Sequence, residues 1–330
     1  NSILNLDLDK DVYDNIPITQ EFEEILGVSP EIIKFLDLIN AIELASENKD
    51  IKGINLKSQS PKMGWSQALT IRKSLQRFKD EGKFIYTYGD FFSQKGYYLA
   101  SVSDSIFLNP VGNIELRGLG AEVLYYKELQ EKYGFKMEVI RHGKYKSAVE
   151  PYLDDKMSEA NRSQIRSLLN SIWGGIANQI KLSRKVSTEN FNKVVDNLDA
   201  TLPVNALRNN IVDGIISKTQ YKQKVKKKLG IKSDEKLNNV SYLQMKNSFK
   251  YKNGTRNQIA VIYAQGPIIY GEGNESNIGQ ELFSKTLMKI KNSKRIKAVV
   301  LRIDSPGGVA LTSEIIWDEL IELKKEKPIV

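Results

Sequence analysis

The chain has 330 residues, of which 41% are apolar and 27% charged, so it is long enough for two globular domains with their own cores. It has no cysteine and one histidine, His142, which excludes disulfides, thiol catalysis and histidine-rich metal sites. The formal net charge is +9, but much of the lysine excess lies in the run 218–236, which is typical of a solvated helix face or linker and not of a nucleic-acid site. No stretch reaches the roughly 18 apolar residues of a membrane span.

Strand and helix patterns alternate along the first part of the chain. Strands are predicted at 2–8, 53–56 and 84–88. A first helix is predicted to begin at Ser29-Pro30-Glu31, where proline and an acid occupy the first turn, and to end near Asn48. A second helix is predicted over about 66–79. This alternation predicts an α/β fold with a parallel sheet and right-handed crossovers.

The later elements are less regular. Three short apolar runs, at 106–108, 121–126 and 137–140, predict further strands or helix starts. Residues 158–182 have apolar side chains at helical spacing, which predicts a long helix that packs on the sheet or on another subunit. The strand pattern at 258–263 opens a second unit.

Two segments of the chain are similar at a constant offset of 245 residues. DIKGINLKSQSP at 50–61 matches RIKAVVLRIDSP at 295–306, and the similarity extends to the helix patterns on both sides. A repeat of this length predicts two copies of one α/β unit. We therefore expect a first domain at 1–229, a linker at 230–255 and an incomplete second domain at 256–330. Both ends of the chain are expected to be cut.

Two turns have the residue types that acyl transfer needs. In the segment GKYKSAVEP (143–151), Lys146 is followed by small and apolar residues, and burial would turn its amine into a base. The alternative for any single lysine is a solvated surface cation. After the strand at 298–303, Gly307 and Gly308 would let backbone N–H groups face a cleft and stabilise an oxyanion. The alternative there is a tight turn with no chemistry.

Other polar residues fit structural roles better. Ser305 precedes a proline at a strand end and matches Ser60 of the first copy, which lacks the glycines, so we expect it to shape the turn. Asp154 and Asp155 are adjacent, and neighbouring side chains point to different sides of an element, so a surface pair is expected. His142 is expected to be a polar residue at the joint between a strand and a turn.

Three segments together resemble one known family. They are GKYKSAVEP with the following Asp155 and Met157-Ser158, the sequence LRIDSPGG with the helix start at 313–316, and SQKGYYLAS at 93–101. All three closely resemble the long-form bacterial signal peptide peptidases, also called protease IV. The resemblance covers essentially the whole chain.

The resemblance implies a tandem repeat of two crotonase/Clp-protease-like domains and a serine endopeptidase that degrades cleaved signal peptides with a Ser–Lys dyad. The base would be Lys146, and Gly307 and Gly308 would belong to the oxyanion and substrate loop. No cofactor or metal is expected. The implied partners are signal peptides and other extended apolar peptides, and further copies of the chain in a tetramer-like ring. The implied location is the bacterial cytoplasmic membrane, with an N-terminal anchor absent from this sequence and the catalytic part on the periplasmic side.

This sequence differs from the family pattern in that it does not contain the segment with the nucleophilic serine. In the family, the serine follows a second-unit strand that begins KPIV, and this sequence ends at KPIV. Gln94 occupies the matching position of the first unit, nine residues after Ile85, which matches Ile329. We therefore expect the serine about eight residues past Val330, by repeat arithmetic, and an inactive chain without it.

Two alternatives stay open at this stage. One is a non-catalytic assembly or peptide-binding module with a crotonase-like fold, and the other is an acyl-CoA enzyme of the same fold. The sequence has no pattern that indicates an adenine pocket. The basic run leaves a weak membrane-surface role as a third possibility.

Overall fold

The computed structural model describes residues 2–15, 32–248 and 257–330. Its strands are β1 (Ser2–Asp7), β2 (Val12–Tyr13), β3 (Ile33–Lys34), β4 (Ile51–Lys57), β5 (Phe84–Phe92), β6 (Ser105–Ile114), β7 (Gly214–Ile215), β8 (Asn239–Ser241), β9 (Gln258–Gln265), β10 (Ile268–Ile269), β11 (Ile278–Gly279) and β12 (Ile296–Asp304). Its helices are α1 (Phe35–Glu47), α2 (Trp65–Asp80), α3 (Gln94–Ala100), α4 (Lys127–Tyr133), α5 (Glu150–Leu153), α6 (Glu159–Arg184), α7 (Thr188–Asp196), α8 (Pro203–Arg208), α9 (Lys218–Leu229), α10 (Tyr242–Ser248), α11 (Gln280–Asn292) and α12 (Ala310–Lys324).

The described chain divides into two compact units, one formed by Asn1–Asp9 with Ala45–Ser241, and the other by Lys10–Leu44 with Tyr242–Val330. The sequence predicted domains at 1–229 and 256–330, whereas residues 10–44 group here with the C-terminal part of the chain. The predicted linker at 230–255 also contributes a strand, since β8 pairs in parallel with β1. The predicted helix start at 29–31 lies outside the described residues.

The first unit is built on a six-stranded parallel sheet with the strand order β7-β6-β5-β4-β1-β8. The central strands are rich in apolar residues and largely buried: Leu4 pairs with Ile54, and both side chains are inaccessible to solvent. The alternating pattern predicted an α/β fold with a parallel sheet, and the structure confirms it.

The second unit has the same local architecture. Strands β9 and β12 pair in parallel, and Pro328–Val330 hydrogen-bonds along the other edge of β12, beside Val299 and Leu301. Helices α11 and α12 bury Phe283, Leu287, Ile316 and Leu323 against this small sheet. At the offset of 245 residues, both ends of α1 (Phe35–Glu47) match those of α11 (Gln280–Asn292). At the same offset, the first residue of β4 matches that of β12, and the first residue of α2 matches that of α12.

One predicted element is wrong: residues 137–140 form neither a strand nor a helix start. Residues 121–126 form no strand but lead directly into α4, of which Tyr126 is the N-cap, and 106–108 lies in β6 as expected. Both segments belong to a long excursion that leaves the sheet after β6, where no neighbouring strand offers them a hydrogen-bond ladder. A short apolar run becomes a strand only if such a partner is present.

Helices α6 and α9 expose different kinds of side chain. Helix α6 buries Ile176, Ala177 and Ile180 in its C-terminal half, whereas Leu168 in its N-terminal half is 59% exposed. Helix α9, which contains most of the basic run, buries one apolar face and exposes most of its lysines, which agrees with a solvated helix face. Within the described ranges, no helix has the length and apolar composition needed to cross a bilayer.

Candidate active site

Lys146 lies on an exposed turn at the end of the excursion from the first sheet. The turn begins at Gly143, whose φ of 84° suits glycine, and closes with a hydrogen bond of 3.3 Å from Lys146 N to Gly143 O. A single 3₁₀ turn (Ser147–Val149) and α5 follow directly. The Lys146 side chain is exposed at the wall of an open groove of about 610 Å³, whose other lining residues include Ile140, His142 and Tyr145.

The burial that the sequence predicted for the Lys146 amine is therefore not supplied by its own unit. Among the described residues, none forms a hydrogen bond or an ion pair with Lys146 Nζ. The turn holds the backbone of Lys146, and its amine is accessible to a reacting group.

Glu150, four residues after Lys146, fixes this turn to the long helix α6. Its carboxylate accepts hydrogen bonds from Ser158 Oγ at 2.5 Å and from Asn161 Nδ2 at 2.9 Å, and a longer one from Ser158 N at 3.4 Å. Arg141 approaches the same carboxylate from the other side of the turn, at 3.9 Å. The anchor thus joins the segments before and after Lys146.

The charge state of Glu150 follows from these contacts. Burial by itself raises the pKa of a carboxyl group, but the hydrogen bonds from Ser158 and Asn161 and the nearby Arg141 outweigh it, and the pKa of Glu150 lies below its usual range. The positive end of α6 favours the same ionised form. The carboxylate is therefore charged at neutral pH.

Gln94 occupies the position of the first unit that the repeat matched to a nucleophile. Its side-chain oxygen accepts the N–H groups of Arg117 and Gly118, at 3.0 and 2.9 Å, and its Nε2 donates to Gly118 O at 2.9 Å. These three hydrogen bonds hold the first residues of the excursion after β6. Gln94 has a structural role, and no nucleophile stands at this position.

In the second unit, Gly307 and Gly308 form the turn between β12 and α12. Gly307 has a φ of 99°, and a Cβ on Gly308 would come within 2.1 Å of Ile268 O. Ile268 N donates to Gly307 O and Val309 N donates to Ile268 O, both at 3.0 Å, so the turn is held firmly. Among the residues that the structure describes, none accepts a hydrogen bond from the Gly308 N–H.

Ser305 shapes this turn, as the sequence predicted. Its hydroxyl donates to Gly266 O at 2.6 Å and accepts the Gly307 N–H at 3.1 Å. The hydroxyl proton is directed at a backbone carbonyl and not at a base, which agrees with a turn-shaping role.

The remaining candidates lie at the surface. Asp155 is exposed and pairs with Lys127 at 3.0 Å, which agrees with a surface carboxylate, and Asp154 is half-buried. His142 is exposed on the groove wall beside Lys146, although the strand expected before it is absent. Lys146 belongs to the first unit and the Gly307–Gly308 turn to the second.

The sequence analysis missed Glu150 and Ser158 as individual residues. The only local signal was the helix start at Ser158, a serine followed by Glu159 in the first helical turn, which is the usual N-cap pattern. Nothing in the spacing indicates that the carboxylate of Glu150, eight residues before Ser158, accepts hydrogen bonds from this N-cap.

Comparison with known proteins agrees with the motifs. Residues 77–232 match peptidase family S49. Protease 4 of Haemophilus influenzae is 32% identical over 99% of this chain and 56% of its own length, and protease 4 of Salmonella typhi is 31% identical over 93% of this chain and 52% of its own. The match to peptidase family S49 thus lies in residues 77–232, and the chain is similar to protease 4 over nearly its whole length.

The chain spans about half the length of these relatives. Among solved structures, it is similar to the 1510-N membrane-bound stomatin-specific protease, with a TM-score of 0.40 and 11% identity over 73% of this chain and 97% of that one. The S49 match includes Lys146 and Glu150.

Proposed function

We propose that the complete protein is a serine endopeptidase with a Ser–Lys dyad in which Lys146 is the general base. The observation that supports this most directly is the Lys146 turn itself: its amine has no partner among the described residues, and the turn is tied to α6 by a buried carboxylate. A surface lysine with no function does not need such an anchor. The turn also lies inside the region that matches family S49.

In the proposed reaction, a serine hydroxyl attacks the peptide carbonyl while neutral Lys146 takes its proton. The oxygen of the tetrahedral intermediate accepts a hydrogen bond from the Gly308 N–H. The C–N bond then breaks, the Lys146 ammonium protonates the leaving amine, and an acyl-enzyme remains. Water, deprotonated by Lys146, hydrolyses this ester and restores the serine.

We further propose that the chain is a tandem repeat of two crotonase/Clp-protease-like domains, the second incomplete, with the serine about eight residues past Val330. The equal starts of matching elements at an offset of 245 residues support the repeat. The three backbone hydrogen bonds of the Gln94 amide, at the position matched to the serine, support a non-catalytic first copy.

The proposed substrates are cleaved signal peptides and other extended apolar peptides, at the periplasmic face of the bacterial cytoplasmic membrane. This proposal rests on the family and on the resemblance of the motifs to signal peptide peptidases. An N-terminal anchor outside this sequence would hold the protein at the membrane.

A homo-oligomer, with a tetramer-like ring as the expected form, is proposed as the working assembly. The excursion between β6 and α6 exposes large apolar side chains that a monomer would leave in water, among them Leu124, Tyr133, Phe135 and Ile140. A second copy of the chain that covers them would also exclude water from the Lys146 groove. No observation favours the non-catalytic module or the acyl-CoA enzyme.

The test of the dyad is Lys146→Ala in the full-length protein, with cleavage of an apolar fluorogenic peptide as the assay. We expect loss of turnover with an unchanged unfolding curve. Wild-type turnover in this variant would rule out Lys146 as the base.

The position of the serine is tested separately on the 330-residue chain. A fluorophosphonate, which acylates activated serines, should leave the mass of this chain unchanged. Stoichiometric labelling would show that the nucleophile lies within residues 1–330.

A further inference from the structure

We propose that Glu150 is a positioning residue for the base: its carboxylate ties the Lys146 turn to the first turn of α6 and thereby sets where the Lys146 amine stands. This inference deepens the proposed function and rests on the assignment of Lys146 as the base. It concerns a residue that touches neither the substrate nor the reacting atoms.

The first support is the burial of Glu150 in a segment that is otherwise at the surface. Between Glu131 and Ala160, Glu150 is the one buried residue, and it is only 1% exposed. Segments are normally held to a protein by buried apolar side chains. Here a charged group takes that place, so the attachment depends on directional hydrogen bonds.

The second support is the donor set that meets the carboxylate. Ser158 contributes its hydroxyl and its N–H, and Asn161 contributes its side-chain amide. All three groups belong to the N-cap and first turn of the 26-residue helix α6, where the helix dipole favours a negative charge. An ionised carboxylate has only acceptors and can satisfy all of them. A carboxamide keeps one acceptor oxygen, so its NH2 group would face either Ser158 Oγ or the two N–H groups that share Oε2, and the charge-assisted hydrogen bonds would be lost.

The third support is the short covalent path from the anchor to the base. Glu150 N donates to Ser147 O, so the anchored residue also closes the 3₁₀ turn whose N-cap is Lys146. Arg141, on the other side of Lys146, faces the same carboxylate at 3.9 Å. Release of the carboxylate would free both ends of the turn, and displacement of a catalytic group by about 1 Å can lower a rate by about 100-fold.

The experiment compares Glu150→Gln with Glu159→Gln in the full-length protease. Glu159 is exposed in the same first turn of α6, so its substitution removes the same charge from the same helix end without touching the anchor. With the apolar fluorogenic peptide as substrate, we expect Glu150→Gln to lower kcat at least 10-fold with KM changed less than 2-fold. Glu159→Gln should leave both constants unchanged.

A second measurement does not depend on activity. In hydrogen exchange on the 330-residue chain, Glu150→Gln should speed exchange of the amides at 146–150 at least 10-fold, with the amides of β4 unchanged. If Glu150→Gln also loosens β4, Ser158→Ala, which removes one donor and leaves the carboxylate, replaces it and should lower kcat by a smaller factor.

The outcomes separate this inference from the proposed function. An inactive Lys146→Ala together with wild-type kcat in Glu150→Gln and Ser158→Ala would overturn the positioning role and leave the dyad intact. Full activity of Lys146→Ala would overturn the dyad itself, whatever the exchange data show. An equal loss of kcat in Glu150→Gln and Glu159→Gln would assign the effect to helix charge and would also overturn the positioning role.

Discussion

Substitution of Arg72 tests how α6 is attached to the first unit. The N-cap of the same helix donates to Glu150, so the position of the Glu150 carboxylate depends on this attachment. Its guanidinium is buried between α2, α3 and α6, and it donates to Tyr98 O, Ser101 Oγ, Gln179 O and Ser183 Oγ. No carboxylate pairs with it among the described residues. We predict that Arg72→Met loosens α6 while preserving most of the side-chain volume.

The magnitude follows from two opposing contributions. Burial lowers the pKa of Arg72 from its ordinary value to about 10, which corresponds to about 3 kcal/mol against the buried charge. Four hydrogen bonds from a charged donor, at about 1.5 kcal/mol each, contribute about 6 kcal/mol in its favour. Arg72→Met should therefore lower the unfolding free energy by about 3 kcal/mol. In a unit of about 200 residues, this is a fall in Tm of roughly 6–12 °C.

The assay is thermal unfolding together with hydrogen exchange of the α6 amides, with Arg166→Met as the control on the exposed face of the same helix. The control should change the unfolding free energy by less than about 0.5 kcal/mol. If Arg72→Met were as stable as Arg166→Met, the four hydrogen bonds would only balance the burial of the charge. The attachment of α6 would then rest on its apolar contacts alone.

Three further predictions follow from the buried groups and the two turns. Burial raises the pKa of Tyr97 and Tyr221, so the stability that the two neutral phenols contribute is complete below a pH of about 10 and falls as the pH rises further. The urea midpoint of unfolding should therefore drop above a pH of about 10, and it should drop less steeply in Tyr221→Phe. Gly308→Ala brings a methyl group within 2.1 Å of Ile268 O, so the second unit should lose about 2 kcal/mol or more, measured by hydrogen exchange of β12; unchanged exchange would show that the turn can shift. Gln94→Met removes three hydrogen bonds to 117–118, whose amides should exchange at least 10-fold faster; unaltered rates would mean that other contacts hold this segment.

The α/β alternation could be predicted from the sequence because it is written in local periodicity. Short segments rich in apolar residues, such as Ile51–Leu56, form buried parallel strands, and the helix pattern at 66–79 became α2. The same rule failed at 121–126 and 137–140, where apolar runs of similar length form no strand. The difference lies in the partners: β4 has β1 and β5 on its two sides, and the excursion has no strand beside it.

For the site, motifs in the sequence indicated Lys146, Gly307 and Gly308 as candidates, and these assignments stay predictions. The place of Ser305 before a proline indicated its role in shaping the turn, which agrees with its two hydrogen bonds. The exposure of the Lys146 amine was not foreseen, because neighbouring Ser, Ala and Val residues suggest burial only if something covers them.

The sequence by itself determined the order of strands and helices, the 245-residue offset, and the residue types at the two candidate turns, since each of these depends on residues close together in the chain. Only the tertiary structure decided that Glu150 is the buried anchor of the Lys146 turn and that Gln94 holds the base of the excursion. Both roles arise where donors from separate segments converge on one side chain, and the free energy of a hydrogen bond depends on that geometry, which spacing along the chain does not specify.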